Sequence, residues 1–93
     1  MKYSFNVIVE KQFDEAVALA KDAIANTNFG LVSEIPLHEK VQEKLNVNQP
    51  GYMILGACNP ANSYNAIQED DNVGLLLPCN VVVKEKKHGL SEI

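Results

Sequence analysis

Apolar and polar positions alternate in a way that marks out most of the chain's elements. From Tyr3 to Val9 the odd positions Tyr3, Phe5, Val7 and Val9 are apolar or aromatic, with only Ile8 breaking the alternation, which predicts a half-buried strand. Phe13, Ala16, Val17, Ala20, Ala23 and Ile24 then recur at helical spacing opposite Glu15, Lys21 and Asp22. That stripe predicts an amphipathic helix with Asp14 as its N-cap, ended by Asn26-Thr27-Asn28. A second strand is expected over Phe29 to Ile35, with Gly30 near its start. Pro36 suits a first helical turn, and Leu37, Val41 and Leu45 repeat every four residues after it, so a short surface helix follows.

Asn46 to Gly51 has turn composition. Tyr52-Met53-Ile54-Leu55-Gly56-Ala57-Cys58 is apolar at both alternating positions and predicts a strand covered on both sides. In Asn59-Pro60 an N-cap residue precedes a residue suited to the first helical position, which predicts a helix from Pro60 to about Gln68. Glu69-Asp70-Asp71-Asn72 reads as an acidic turn. Val73, Leu75, Leu77, Cys79, Val81 and Val83 then form an odd-numbered apolar face, predicting one long strand with Cys79 toward the core and an edge position or bulge at Pro78. Lys86 to Gly89 closes a turn, and Leu90 to Ile93 begins a last strand. The expected fold is α+β, one domain over residues 1–93, with a single sheet of about four to five strands and two main helices packed on one face.

Composition narrows the function classes. The 93 residues, 46% of them hydrophobic and 22% charged, suit one small globular domain with little buried surface to spare. A net charge of −4 and the complete lack of arginine argue against nucleic acid as partner, because clustered cations supply most of that affinity. The basic cluster Lys84, Lys86 and Lys87 is interrupted by Glu85 and reads as a solvated strand end. No apolar run approaches the ~20 residues that span a bilayer, and the N-terminus lacks an export-signal pattern, so a cytoplasmic protein without membrane contact is expected. Two cysteines in that compartment are expected as thiols.

Both cysteines sit in near-matching phrases, Leu55-Gly56-Ala57-Cys58-Asn59-Pro60 and Leu77-Pro78-Cys79-Asn80-Val81. Cys58 precedes a helix start, where orphan amides favour a thiolate; burial as an inert packing residue is the competing reading for both thiols. Asn59 is most simply a cap. Asn80, a carboxamide in an apolar strand, either locks backbone near Pro78 or lines a polar pocket. His38 and His88, expected at exposed positions, share no local ligand spacing with the cysteines, so neither a metal nor any other cofactor is expected. Glu69-Asp70-Asp71 lacks the further ligands of a calcium loop.

The stretch Tyr52 to Pro60, followed by Val73 to Val83, resembles the signature of the domain of unknown function family numbered 302. The Phe13 helix, the Phe29-Gly30 strand entry and the Gly89 turn fall in that family's order. The resemblance implies a TATA-binding-protein-like α+β domain that pairs as a dimer, and it implies no reaction and no catalytic residues. Against its pattern, the sequence stops at Ile93, before a further strand and helix; the expectation is that a partner subunit covers the sheet face concerned or that a groove stays exposed. The leading functional expectation is a homodimeric module binding a small molecule or a partner in a groove bordered by Cys58, Asn59, Cys79 and Asn80, without catalysis. The alternatives are a thiol redox or thiol-transfer enzyme, with Cys58 as nucleophile and Cys79 as resolving thiol, and a purely structural dimerisation domain.

Overall fold

The computed structural model describes residues 5–93. Its elements are β1 (Ile8–Val9), α1 (Phe13–Ala25), β2 (Gly30–Pro36), α2 (Leu37–Leu45), β3 (Tyr52–Cys58), α3 (Pro60–Glu69), a 3₁₀ turn (Val73–Leu76), β4 (Cys79–Lys87) and β5 (Leu90–Glu92). The five strands form one sheet in the order β1-β5-β4-β3-β2, every neighbouring pair antiparallel. This is the α+β single-sheet architecture that the periodicity predicts. Of the first expected strand, Tyr3 and Ser4 lie outside the described residues. The ladder nevertheless reaches beyond β1, since Val7 and Ile93 exchange backbone hydrogen bonds of 3.0 and 2.8 Å.

Strand register sorts the side chains into two faces. Residues directly opposite one another point the same way, so Leu31, Ala57 and Cys79 form one row, and Pro36, Met53 and Val83 another, on the side of α1. The core is the contact between this face and the stripe on α1: Ala16, Val17, Ala20 and Ile24 are buried against Leu55, Ala57 and Val83. Ser91 is the one buried polar side chain among the described residues, and its hydroxyl donates to the Lys11 carbonyl at 3.0 Å, which ties β5 to the entry of α1. The opposite face carries the rows Ser33-Gly56-Asn80, Ile35-Ile54-Val82 and Tyr52-Lys84-Glu92-Ile8. β3 is therefore covered on one side only along most of its length. On its second side Gly56 alone is buried, in close contact with Ser33 and Pro78, while Tyr52 and Ile54 are half-buried.

Local chemistry explains where several elements depart from expectation. The N-cap of α1 is Gln12 rather than Asp14, because a Gln12/Glu15 capping box forms and the Glu15 carboxylate accepts from the Gln12 amide at 3.2 Å. Asp14 instead lies in the first turn, where a negative charge suits the helix dipole. Pro36 is the N-cap of α2 rather than a first-turn residue. The expected long strand from Val73 is broken: Val73–Leu76 winds into a 3₁₀ turn and the strand starts only at Cys79. Pro78 stands just outside that strand, after a cis peptide bond, and occupies neither an edge nor a bulge, since β4 is an inner strand. The irregularities of register lie elsewhere, at Leu31/Ser33 and Glu85/Lys87. Finally, β4 continues through Lys87, so the turn shrinks to His88-Gly89, with Gly89 at φ +77.

Candidate functional site

The corner where β3 ends and β4 begins collects the polar groups. Asn59 caps α3, its side-chain oxygen accepting from the Asn62 amide at 3.1 Å, and Pro60 fills the first helical position. Cys58, half-buried, is the last residue of β3 and so sits one residue before that cap. On the next strand Cys79 pairs across from Ala57, on the α1 side of the sheet, and is exposed rather than buried because it borders two open concavities. Both cysteines are thiols.

Around these groups a pocket of ≈ 220 Å³ is bordered by Cys58, Asn59, Cys79, Asn62 and Ser63, with Phe29, Ala57, Ala66 and Leu77 completing it. The structure thus brings together three of the four residues singled out in the sequence. Asn80 is placed elsewhere: it pairs across from Gly56, so it points to the opposite face of the sheet, where it is exposed.

A second concavity, of ≈ 520 Å³, runs along the α1 flank and meets the first. Its walls are Leu19, Ala23 and Ile24 of α1 on one side and Ala57, Val81 and Ile93 of the sheet on the other. Phe29, Ala57 and Cys79 line both concavities, so the apolar groove opens directly onto the polar corner. Sequence periodicity did not pick out this groove. The sequence assigns Ala23 to the apolar stripe of α1, whereas in the structure Ala23 is exposed and lines the groove with Leu19.

The other residues singled out for chemistry have local structural partners. His38 is half-buried rather than exposed, because its Nδ1 accepts from the Tyr52 backbone amide at 3.0 Å and its ring meets Phe13 edge-on at 5.3 Å. His88, exposed in the last turn, lies 3.0 Å from the Gln12 carboxamide nitrogen, while the Gln12 oxygen accepts from Gly89 at 3.1 Å. An amide nitrogen only donates, so His88 Nε2 is the acceptor. Asp70 accepts from the Asn72 amide at 3.0 Å within an exposed turn. Among the described residues no three His, Cys, Asp or Glu side chains converge on a common point. Among the described residues no helix is long and apolar enough to cross a membrane.

A family model described as "Domain of unknown function DUF302" matches residues 5–93. The chain belongs to this family. A DUF302 fold is also what the solved structures show: the crystal structure of an uncharacterized conserved DUF302 protein from Bacillus stearothermophilus superposes with a TM-score of 0.81 at 27% sequence identity. The match covers 95% of this chain and 68% of that one. No curated protein matches the chain. Family membership therefore accounts for the architecture of this DUF302 domain, and its activity has to be argued from the corner and the groove.

Proposed function

We propose that this DUF302 domain is a homodimeric, non-catalytic binding module for a small elongated molecule with an apolar body and one polar oxygen-bearing end. The observation that carries the reading is the union of the two concavities through Phe29, Ala57 and Cys79. A volume of several hundred Å³ lined by hydrocarbon, with a few polar groups gathered at one end, is the usual composition of a small-molecule site. The body would displace water from the Leu19, Ala23 and Val81 walls, gaining roughly 25 cal/mol for each Å² of apolar surface removed from solvent. The end group would meet the Asn59 and Asn62 carboxamides and the Ser63 hydroxyl, all neutral groups. With no cation among the described residues that line this corner, a hydroxyl or carbonyl suits it better than a strongly ionised group.

Titration of isotope-labelled protein with decanol and with decanoate tests this directly. Saturable shifts at Ala23, Ala57, Val81 and Asn62 are expected, stronger for the alcohol, and abolished in Ala23→Trp, whose ring fills the groove from an exposed helix position. Failure of both probes to bind at millimolar concentration sinks the reading.

A second reading is supported by the two thiols bordering one pocket. Here the Cys58 thiolate attacks a disulfide substrate, expelling one substrate thiolate and forming a mixed disulfide. Cys79 then displaces the second substrate thiol, leaving a Cys58–Cys79 disulfide and a fully reduced substrate. It requires alkylation of Cys58 by iodoacetamide at pH 7 well ahead of a model thiol; equal rates remove it.

A further inference from the structure

The excursion between β3 and β4 carries large apolar side chains that stand well out into solvent. Leu75 and Leu76, on the 3₁₀ turn, are 88% and 79% exposed, and Tyr64 and Ile67 on α3 are 65% and 45% exposed. Tyr64 and Ile67 are three residues apart and share one side of the helix, while Asn62, Ser63 and Ala66 line the pocket. Glu69, Asp70 and Asp71 lie between the two apolar sets, all exposed. The excursion is therefore an apolar arm with an acidic bend.

The sheet face away from α1 is its chemical counterpart. Across it runs the apolar row Ile35-Ile54-Val82, with Ile8 nearby, and Ile8 and Ile35 are 52% and 43% exposed. The adjoining row carries Lys84, and Lys86 reaches the same carboxylate, with Glu92 the one acid between them. Two lysines against one glutamate leave this border positive, opposite in sign to the bend of the arm.

The surface left open is large enough for a second copy of the chain. A compact monomer of 10.2 kDa exposes about 5,300 Å², whereas this chain exposes 6884 Å². The excess is more than the roughly 800 Å² that each partner of a stable protein pair buries. The radius of gyration, 14.9 Å, likewise exceeds the ~12 Å of a compact chain of this length. Since arm and face are on the same molecule, a two-fold related copy satisfies both at once.

We infer that two copies of this chain pair reciprocally, the Leu75-Leu76 arm of each lying across the Ile35-Ile54-Val82 face of the other, with its acidic bend over Lys84 and Lys86. The inference rests on the homodimer part of the proposed function and not on the groove, which lies on the other side of the sheet. It names the surfaces that make the pair.

Sedimentation velocity of the full chain, with Leu75→Glu/Leu76→Glu and Ile35→Glu beside the wild type, tests it. The wild type should sediment as a dimer at micromolar concentration, and each variant should raise the dissociation constant at least about thirty-fold. Both sites are exposed, so circular dichroism should remain native. Asp70→Lys/Asp71→Lys and Lys86→Glu should each weaken the pair, and equimolar mixing of those two variants should recover association through oppositely charged contacts. Isotope-filtered contacts should connect the Leu75 and Leu76 methyls to Ile54 and Val82 of the other copy. A monomeric wild type, a dimer indifferent to the Leu75/Leu76 change, or filtered contacts that join arm to arm would each overturn the inference. Decanol binding by the Leu75→Glu/Leu76→Glu monomer separates the two claims, because the groove is intact there.

Discussion

Cys79 and Asn80 are neighbours in the chain but stand on opposite faces of the sheet: Cys79 lies across from Ala57 on the side of α1, and Asn80 across from Gly56 on the open side. One peptide unit thus separates the groove from the face proposed for pairing. Modification of the two residues should have separable consequences. Alkylation of Cys79 with a bulky maleimide, in a Cys58→Ser background, should block decanol binding, whereas Asn80→Ala should leave it within twofold of wild type. Equal losses in the two experiments, read by isotope-edited titration, would mean that the probe does not sit on the α1 side.

Gly56 has no room for a side chain on the open face. A Cβ added there would overlap the Ser33 hydroxyl and come within 2.7 Å of the Pro78 ring, and both neighbours are held by backbone already committed to the sheet or to its entry. Overpacking of this kind costs about 1–3 kcal/mol. Gly56→Ala should lower the urea midpoint accordingly, while Gly74→Ala, which meets nothing within 4 Å, should cost far less. Similar midpoints for the two variants would contradict the packing described at Pro78.

How much of this was legible in the sequence depends on whether a pattern has one physical cause or several. The α1 stripe was readable because Ala16, Val17, Ala20 and Ile24 repeat at helical spacing and are buried for that reason. The odd face of β4 was readable from Val81 and Val83, and β3 ran over the residues expected of it. Val73, Leu75 and Leu77 follow the same two-residue period without being a strand. The missing amide of Pro78 was read as an edge or bulge within the strand, whereas the strand starts only after it, and period alone does not reveal that Leu75 and Leu76 face solvent in the isolated protomer. The cap of α1 was hidden because glutamine is a poor cap by itself and works here through Glu15. His38 was misplaced because its partner, the Tyr52 amide, comes from another element. At the site, Asn59 was legible as a local cap, while Cys58 and Cys79 meet only as borders of one pocket at the end of β3, since register pairs Cys79 with Ala57. The groove required knowing which flank of α1 stays uncovered.

Asn59 should matter more to α3 than to the sheet. The helix has no buried residues, so its start depends on the Asn59–Asn62 cap rather than on packing. Asn59→Ala should cost about 0.5–2 kcal/mol locally, and Asn59→Asp should retain most of the stability because a carboxylate also accepts the amide. Hydrogen exchange gives the readout: amides of Ser63 to Ile67 should lose protection in Asn59→Ala while those of Leu55 and Val83 do not. Global loss of protection would show that the corner is part of the main cooperative unit.

Glu92 gives the fold a dependence on acid. Its carboxylate accepts from Lys84, the largest influence, and from Asn6, and Lys86 adds a further positive charge, so its pKa is lowered below the ordinary carboxylate value despite some desolvation. A group with a depressed folded-state pKa binds protons more readily when the chain is unfolded. Its contribution is therefore fully present above the unfolded-state value, about 4.3, and is lost as pH falls through the lower folded-state value. Glu92→Gln should remove that part of the acid destabilisation, flattening the urea midpoint between pH 5 and the acid limit, while lowering the midpoint modestly at pH 7. Because Glu92 bridges Lys84 and Lys86 on the open face, its loss also leaves two lysines uncompensated there. Dimerisation with the acidic arm should then tighten in Glu92→Gln at low salt, measured by sedimentation, even as the protomer weakens. Parallel loss of stability and association would argue against an acidic partner on that face.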